Sequence, residues 1–122
     1  MVPTGGEADR RLPRSRRLTA SAEIRAIVGR GKRSRTAHLD VFDSASPVPY
    51  SRVGIIVPKH GRRIVDRNRL KRRLREILRQ EMLPWLSGRA SAVDVLVRAR
   101  REAYTATYDE LRQELIAWQS RR

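Results

Sequence analysis

The nine residues Arg67-Asn68-Arg69-Leu70-Lys71-Arg72-Arg73-Leu74-Arg75 hold five guanidiniums and one ammonium around a spaced pair of leucines. Guanidinium forks bidentately onto phosphate oxygens and stacks on bases, so the chemistry of this run is anion recognition rather than bond breaking. On a helix each residue advances roughly 100°, which gathers Leu70, Leu74, Ile77 and Leu78 on one apolar arc. Asn68, Lys71, Arg72, Arg75 and Arg79 fall on an adjoining stripe, with Arg69 and Arg73 beyond it. Arg67 lies near the apolar arc, a position compatible with bracing the helix as well as with binding. Like charges at i, i+4, such as Arg69/Arg73 and Lys71/Arg75, repel by roughly a few tenths of a kcal/mol per pair. A solvated helix face usually mixes signs, yet Glu76 is the only acid between Arg67 and Gln80. A polyanionic partner that offsets the repulsion is the expectation.

Composition agrees, with 28 Lys+Arg against 13 Asp+Glu and a formal net charge of +15 on 122 residues. Only Lys32, Lys59 and Lys71 are lysine, so 25 of the 28 cations are arginine. A membrane surface is also polyanionic, but the chain shows neither a long apolar face nor a lipidation signal. It has no spanning-length apolar run and no cysteine, so neither a disulfide framework nor a thiolate zinc site is expected, and the cytoplasm is the expected location.

The length suits one domain, and no internal repeat is evident. Residues 1–16 read as a flexible basic arm, residues 17–119 as a single domain and residues 120–122 as a tail. A first helix is expected after Leu18, capped by Thr19 or Ser21, carrying Ile24, Ile27 and Val28 at helical spacing and stopped by Gly29 and Gly31. Residues 35–43 alternate as a strand, with Ala37, Leu39 and Val41 on one face and His38, Asp40 and Phe42 on the other. After a loop at 44–49, Val53, Ile55 and Val57 form a second strand broken by Pro58. The basic helix should run over 62–82, ending before Pro84. Val93, Val95 and Val97 make a third strand. Thr107 and Glu110 have capping-box spacing ahead of a last helix lined by Leu111, Leu115 and Trp118. The order is α-β-β-α-β-α, an α+β sandwich.

Catalytic constellations are missing from this pattern. Phosphodiester cleavage usually needs convergent carboxylates holding divalent metal, or a histidine pair. Asp40 and Asp43 point to opposite faces of one strand, Asp109 and Glu110 are consecutive on a helix, and His38 and His60 carry no motif. No catalytic and no metal-ligating residue is assigned.

With these elements placed, the chain resembles the protein subunit of bacterial ribonuclease P. That family is marked by an R-N-R-x-K-R-x-x-R helix, matched at every named position by Arg67, Asn68, Arg69, Lys71, Arg72 and Arg75. The strand before it is matched by Val53-Gly54-Ile55-Ile56-Val57-Pro58-Lys59, and the early Arg-Leu and G-x-R by Arg17-Leu18 and Gly31-Lys32-Arg33. The likeness runs from about Arg17 to Trp118. Two departures are His60, where the family usually has a second lysine, and Gly61, one position early.

The resemblance implies a small mixed sheet with a left-handed β-α-β crossover, a ribosomal protein S5 domain 2-like fold. It implies an RNA-binding subunit that assists a catalytic RNA in endonucleolytic removal of the 5′ leader from precursor tRNA, leaving 5′-phosphomonoester products. This chain would be non-catalytic, and Mg²⁺ would act through the RNA subunit. The implied partners are ribonuclease P RNA and precursor tRNA, with no small-molecule substrate. The RNA-binding residues carried over are Arg67, Asn68, Arg69, Lys71, Arg72, Arg75 and Lys59. A leader cleft between the first helix and the sheet carries over to Ile24, Val28, Phe42 and Arg35. Ile24 and Val28 are aliphatic where the family often presents rings, so core and cleft readings both stay open for them, and Phe42 is the one ring left for stacking, a contact worth about 1–3 kcal/mol per base. A ribosomal or RNA-assembly protein is the alternative that shares the charge. A DNA-binding regulator would need more reading side chains than Asn68, and a self-contained nuclease would need the missing carboxylate cluster.

Overall fold

A computed structural model describes residues 12–122. Its centre is a four-stranded mixed sheet in the order β1-β2-β4-β3, with β1 Lys32–Arg35, β2 Leu39–Ala45, β3 Arg52–Ile56 and β4 Val93–Ala99. β1/β2 and β2/β4 pair antiparallel, whereas β3 and β4 run parallel. The parallel pair requires a crossover, supplied by the basic helix α2 (Ile64–Ile77) and the short helix α3 (Leu83–Ser87).

The period of two sorts the strand side chains between two cores. Leu39, Val41, Val53, Val95 and Val97 join Leu70, Leu74 and Ile77 of α2 and Leu111, Leu115 and Trp118 of α4 (Tyr108–Arg121) in the larger one. Phe42 and Leu96 face the other way and pack with Ile27 of α1 (Ser21–Arg30) and with Leu18. Each face of the sheet is thus covered by helix, as the α+β sandwich reading expects.

Several boundaries move. The single strand expected over 35–43 is two strands joined by a tight turn at 36–38. Glu114 of α4 reaches across to accept from the His38 backbone N–H at 3.0 Å and the Thr36 hydroxyl at 2.7 Å, and it also pairs with the His38 ring. That clamp is supplied by a residue 76 positions away, so local alternation did not reveal the turn. Helix α1 begins without a side-chain cap after Ala20; Gly29 lies inside it, and Gly31 closes it by donating to the Ile27 carbonyl at 2.7 Å. The basic helix starts at Ile64 and continues through a π-turn, Leu78–Met82, into α3. Pro84 does not end it, because the π-turn just before it widens the backbone to i→i−5 spacing, with the Leu83 N–H on the Leu78 carbonyl, and so makes room for the proline ring. The π-turn keeps Leu78, Met82 and Leu86 all buried.

The domain edges also extend past 17 and 119. Leu12 is buried in the larger core, and Arg17 donates twice to its carbonyl, at 2.9 and 2.7 Å, around a 3₁₀ turn at Arg14–Arg16. Helix α4 continues into the expected tail as far as Arg121, and Arg122 pairs with buried Asp43 at 2.8 Å. The remainder of the expected arm, residues 1–11, lies outside the described residues.

A candidate nucleic-acid interface

Helix α2 presents cations because its apolar side is occupied. Leu70, Leu74 and Ile77 are buried, and this rotation leaves Asn68, Arg69, Arg72 and Arg75 exposed with Lys71 half-buried. Arg69, Lys71, Arg72 and Arg75 have no acidic partner within ion-pair distance among the described residues. The other cations of the helix are used internally. Arg73 donates to the Ala106 carbonyl at 3.2 Å, and Arg79 pairs with Glu76 at 2.6 Å. Arg67 reaches back to the Val57 carbonyl at 3.4 Å with its Nε buried and unpartnered, so it braces α2 against the end of β3.

Lys59 is exposed in the turn that feeds the helix. There Arg62 donates to the Lys59 carbonyl at 2.8 Å, and the two residues between them, His60 and Gly61, both have positive φ, 48° and 76°. A turn with two left-handed central residues favours glycine, which accounts for Gly61. Tyr104 buttresses this turn, donating its hydroxyl to the Pro58 carbonyl at 2.6 Å and lying under Arg62 at 5.1 Å.

The leader-cleft residues divide. Ile24 and Val28 are half-buried along α1 and pack on the smaller core, so they combine contact with the sheet and an accessible edge. Phe42 belongs to that core and is 2% exposed, leaving no free ring face for a base. Its ring is covered in part by Arg98, whose guanidinium carbon stands 4.9 Å from the ring centroid. Arg35 is exposed at the end of β1. Reading β4 through its valines hid Arg98, although the same alternation places Asp94, Leu96 and Arg98 on the α1 side.

Buried acids are matched by arginine across both faces. Asp40 pairs with Arg33 at 3.4 Å and Arg98 at 3.1 Å, and Asp43 pairs with Arg122 on the opposite face. Arg52 forks onto Asp94 at 3.2 and 2.7 Å and holds Glu23 of α1 at 2.9 Å. The Asp94 hydrogen bonds push the Arg52 pKa upward, so Arg52 is charged at any accessible pH. These acids are engaged by cations, and among the described residues no three acidic or histidine side chains converge.

Fold and surface together define a basic α+β protein that displays an arginine-rich helix at its surface and pairs its buried carboxylates internally. The family model described as Ribonuclease P matches residues 12–121. A ribonuclease P protein component from Syntrophobacter fumaroxidans is 35% identical over 103 residues, covering 83% of this chain and 82% of that one. One from Micrococcus luteus is 40% identical over 115 residues, 86% of each. The solved structure of the RNase P protein from Thermotoga maritima shares the fold with a TM-score of 0.73 at 24% identity, over 87% of this chain and 96% of that one. The Staphylococcus aureus RNase P protein does so with a TM-score of 0.71, also at 24% identity, over 84% and 90%.

The chain therefore belongs to the ribonuclease P protein family. Its role is that of the protein subunit of ribonuclease P in tRNA processing, with ribonuclease activity residing in the holoenzyme.

Proposed function

We propose that the exposed row Asn68, Arg69, Lys71, Arg72 and Arg75, with Lys59, lies against ribonuclease P RNA. The surface beside the accessible edge of α1, with Ile24, Val28 and Arg35, would then hold the single-stranded 5′ leader of precursor tRNA. The observation that carries this reading is the set of four cations, Arg69, Lys71, Arg72 and Arg75, on one helix without acidic partners among the described residues. Phosphate contacts position an RNA without reading its sequence, which suits a subunit that must grip one large RNA and many different precursors. Arg67 contributes through the helix it braces. Magnesium and the hydrolytic step belong to the RNA in this reading, and the protein screens phosphate charge and retains substrate. The bacterial cytoplasm is the compartment proposed for this work.

The test is precursor-tRNA cleavage at low magnesium by a bacterial ribonuclease P RNA, with and without this chain, beside a protein-only control. Correct 5′ maturation that needs both components is the expected result. No enhancement by the protein would reject the subunit assignment for that RNA, and cleavage by protein alone would place chemistry on this chain.

A further inference from the structure

We propose that Arg98 is a stacking shelf for a leader base, doing on the β4 face the work that the buried ring of Phe42 cannot do directly. The inference rests on the leader-cleft reading above and names the residue that would contact the base.

Three features of Arg98 point to this role. Its guanidinium carbon lies over the Phe42 ring, 4.9 Å from the centroid, so the group is seated on an apolar floor. An edge of the same group is tied to Asp40 at 3.1 Å, and Asp40 is itself held by Arg33 at 3.4 Å. The side chain nevertheless remains 30% exposed. A guanidinium held by an ion pair and seated on a ring has lost much of its rotamer freedom before any ligand arrives, and its exposed surface can receive a base.

Arg98 also lines a groove of about 450 Å³ with Arg35, Pro58, His60, Arg100 and Arg101, completed by two carboxylates, Asp40 and Glu102. Four arginines against two acids favour an anionic occupant. One acid is already paired with Arg98 and the other with Arg100, at 3.4 Å. Backbone phosphate fits beside Arg35 and Arg101, with the base over Arg98, the arrangement of a single-strand binding groove. Buried pairing of a duplex would leave no base face free for such a shelf, so the ligand is single-stranded.

The experiment uses the reconstituted holoenzyme and measures affinity for precursor tRNA and for mature tRNA, with wild-type protein, Arg98→Ala and Arg98→Lys. Lysine keeps the charge and its reach to Asp40 but has no planar face. The ratio of precursor to mature affinity is expected to fall about 5- to 150-fold in Arg98→Ala, the worth of one stacked base, and Arg98→Lys should restore little of it. Precursors carrying a single abasic leader nucleotide, scanned along the leader, should include one position at which wild type and Arg98→Ala become equal. Full rescue by lysine would mean that Arg98 supplies only charge and would overturn the proposal. An unchanged ratio in Arg98→Ala, while wild type still prefers precursor, would overturn it and leave the leader-cleft reading standing. Absence of any precursor preference in wild type would reject both. Thermal melts of the three proteins separate loss of binding from loss of fold.

Discussion

At the scale of single residues, the arginines of this chain do two different jobs, and the fold separates them. Arg72 and Arg75 stand exposed with no acid to hold them among the described residues, so replacing either with alanine should weaken RNA binding and leave folding nearly untouched. Each should also lower the slope of log affinity against log salt by about one, because one phosphate contact and its released counterion are lost. Affinity titrations of ribonuclease P RNA across a salt series check this. Arg67→Ala should behave in the opposite sense, lowering the melting temperature with little change in salt slope, since its side chain reaches the Val57 carbonyl. Arg52 is a stronger structural case. Its side chain is 10% exposed and its removal would strand Asp94 in the smaller core. Breaking a buried pair from one side typically costs about 3–5 kcal/mol, so Arg52→Ala should lose stability of that order in urea unfolding.

At the scale of elements, two joints can be tested. Gly54 lies where the segment through Leu18 crosses β3: an added Cβ would meet the Leu18 Cβ at 2.8 Å, the Leu96 Cδ1 at 2.9 Å and the Leu18 carbonyl oxygen at 3.0 Å. Leu18 is tied there by its own N–H to the Val53 carbonyl at 2.8 Å, so neither backbone can yield freely. Gly54→Ala should cost about 1–3 kcal/mol by overpacking, read in the same unfolding assay. The other joint is the capping box of α4, in which the Thr107 hydroxyl accepts from the Glu110 N–H at 3.1 Å and the Glu110 carboxylate accepts from the Thr107 N–H at 2.8 Å. That backbone hydrogen bond lowers the Glu110 pKa below the ordinary carboxylate value. A depressed folded-state pKa gives stability that is present above the unfolded-state value and is lost as pH falls through the folded one. Acidifying from neutral through the carboxylate range should therefore lower the melting temperature less in Glu110→Gln than in wild type. Melts by circular dichroism at several pH values decide it. The capping box could be read from Thr107 and Glu110 because all its partners are local; the turn at 36–38 could not, because Glu114 closes it from another helix.

At the scale of the whole molecule, Leu12 and Arg122 close the two sides of the structure. Leu12 enters the larger core from one side, and Arg122 reaches from the end of α4 to Asp43 in β2. Deleting residues 120–122 should cost about 1–3 kcal/mol, because Asp43 is buried and loses its charged partner. Equal melting temperatures for the full and shortened chains would count against that closure. The same global arrangement gives the molecule its two-sided character. One sheet face and the inner side of α2 form the main core, while the opposite face meets α1 and Leu18 over part of its length and leaves Arg98 partly accessible.

The one-dimensional pattern determined the basic helix, its buried leucines, the strand valines, the last capping box and the family. Those features depend on local periodicity or on contiguous residue types, which a chain carries before it folds. Tertiary structure decided which cations remain available. Arg72 and Arg73 are adjacent and chemically identical, yet Arg73 donates to Ala106 and Arg72 faces solvent. It also buried Phe42, laid Arg98 over it and drew Glu114 onto the 36–38 turn. Each of these outcomes depends on a partner brought from a distant element, and burial is set by what the rest of the fold places on top of a side chain.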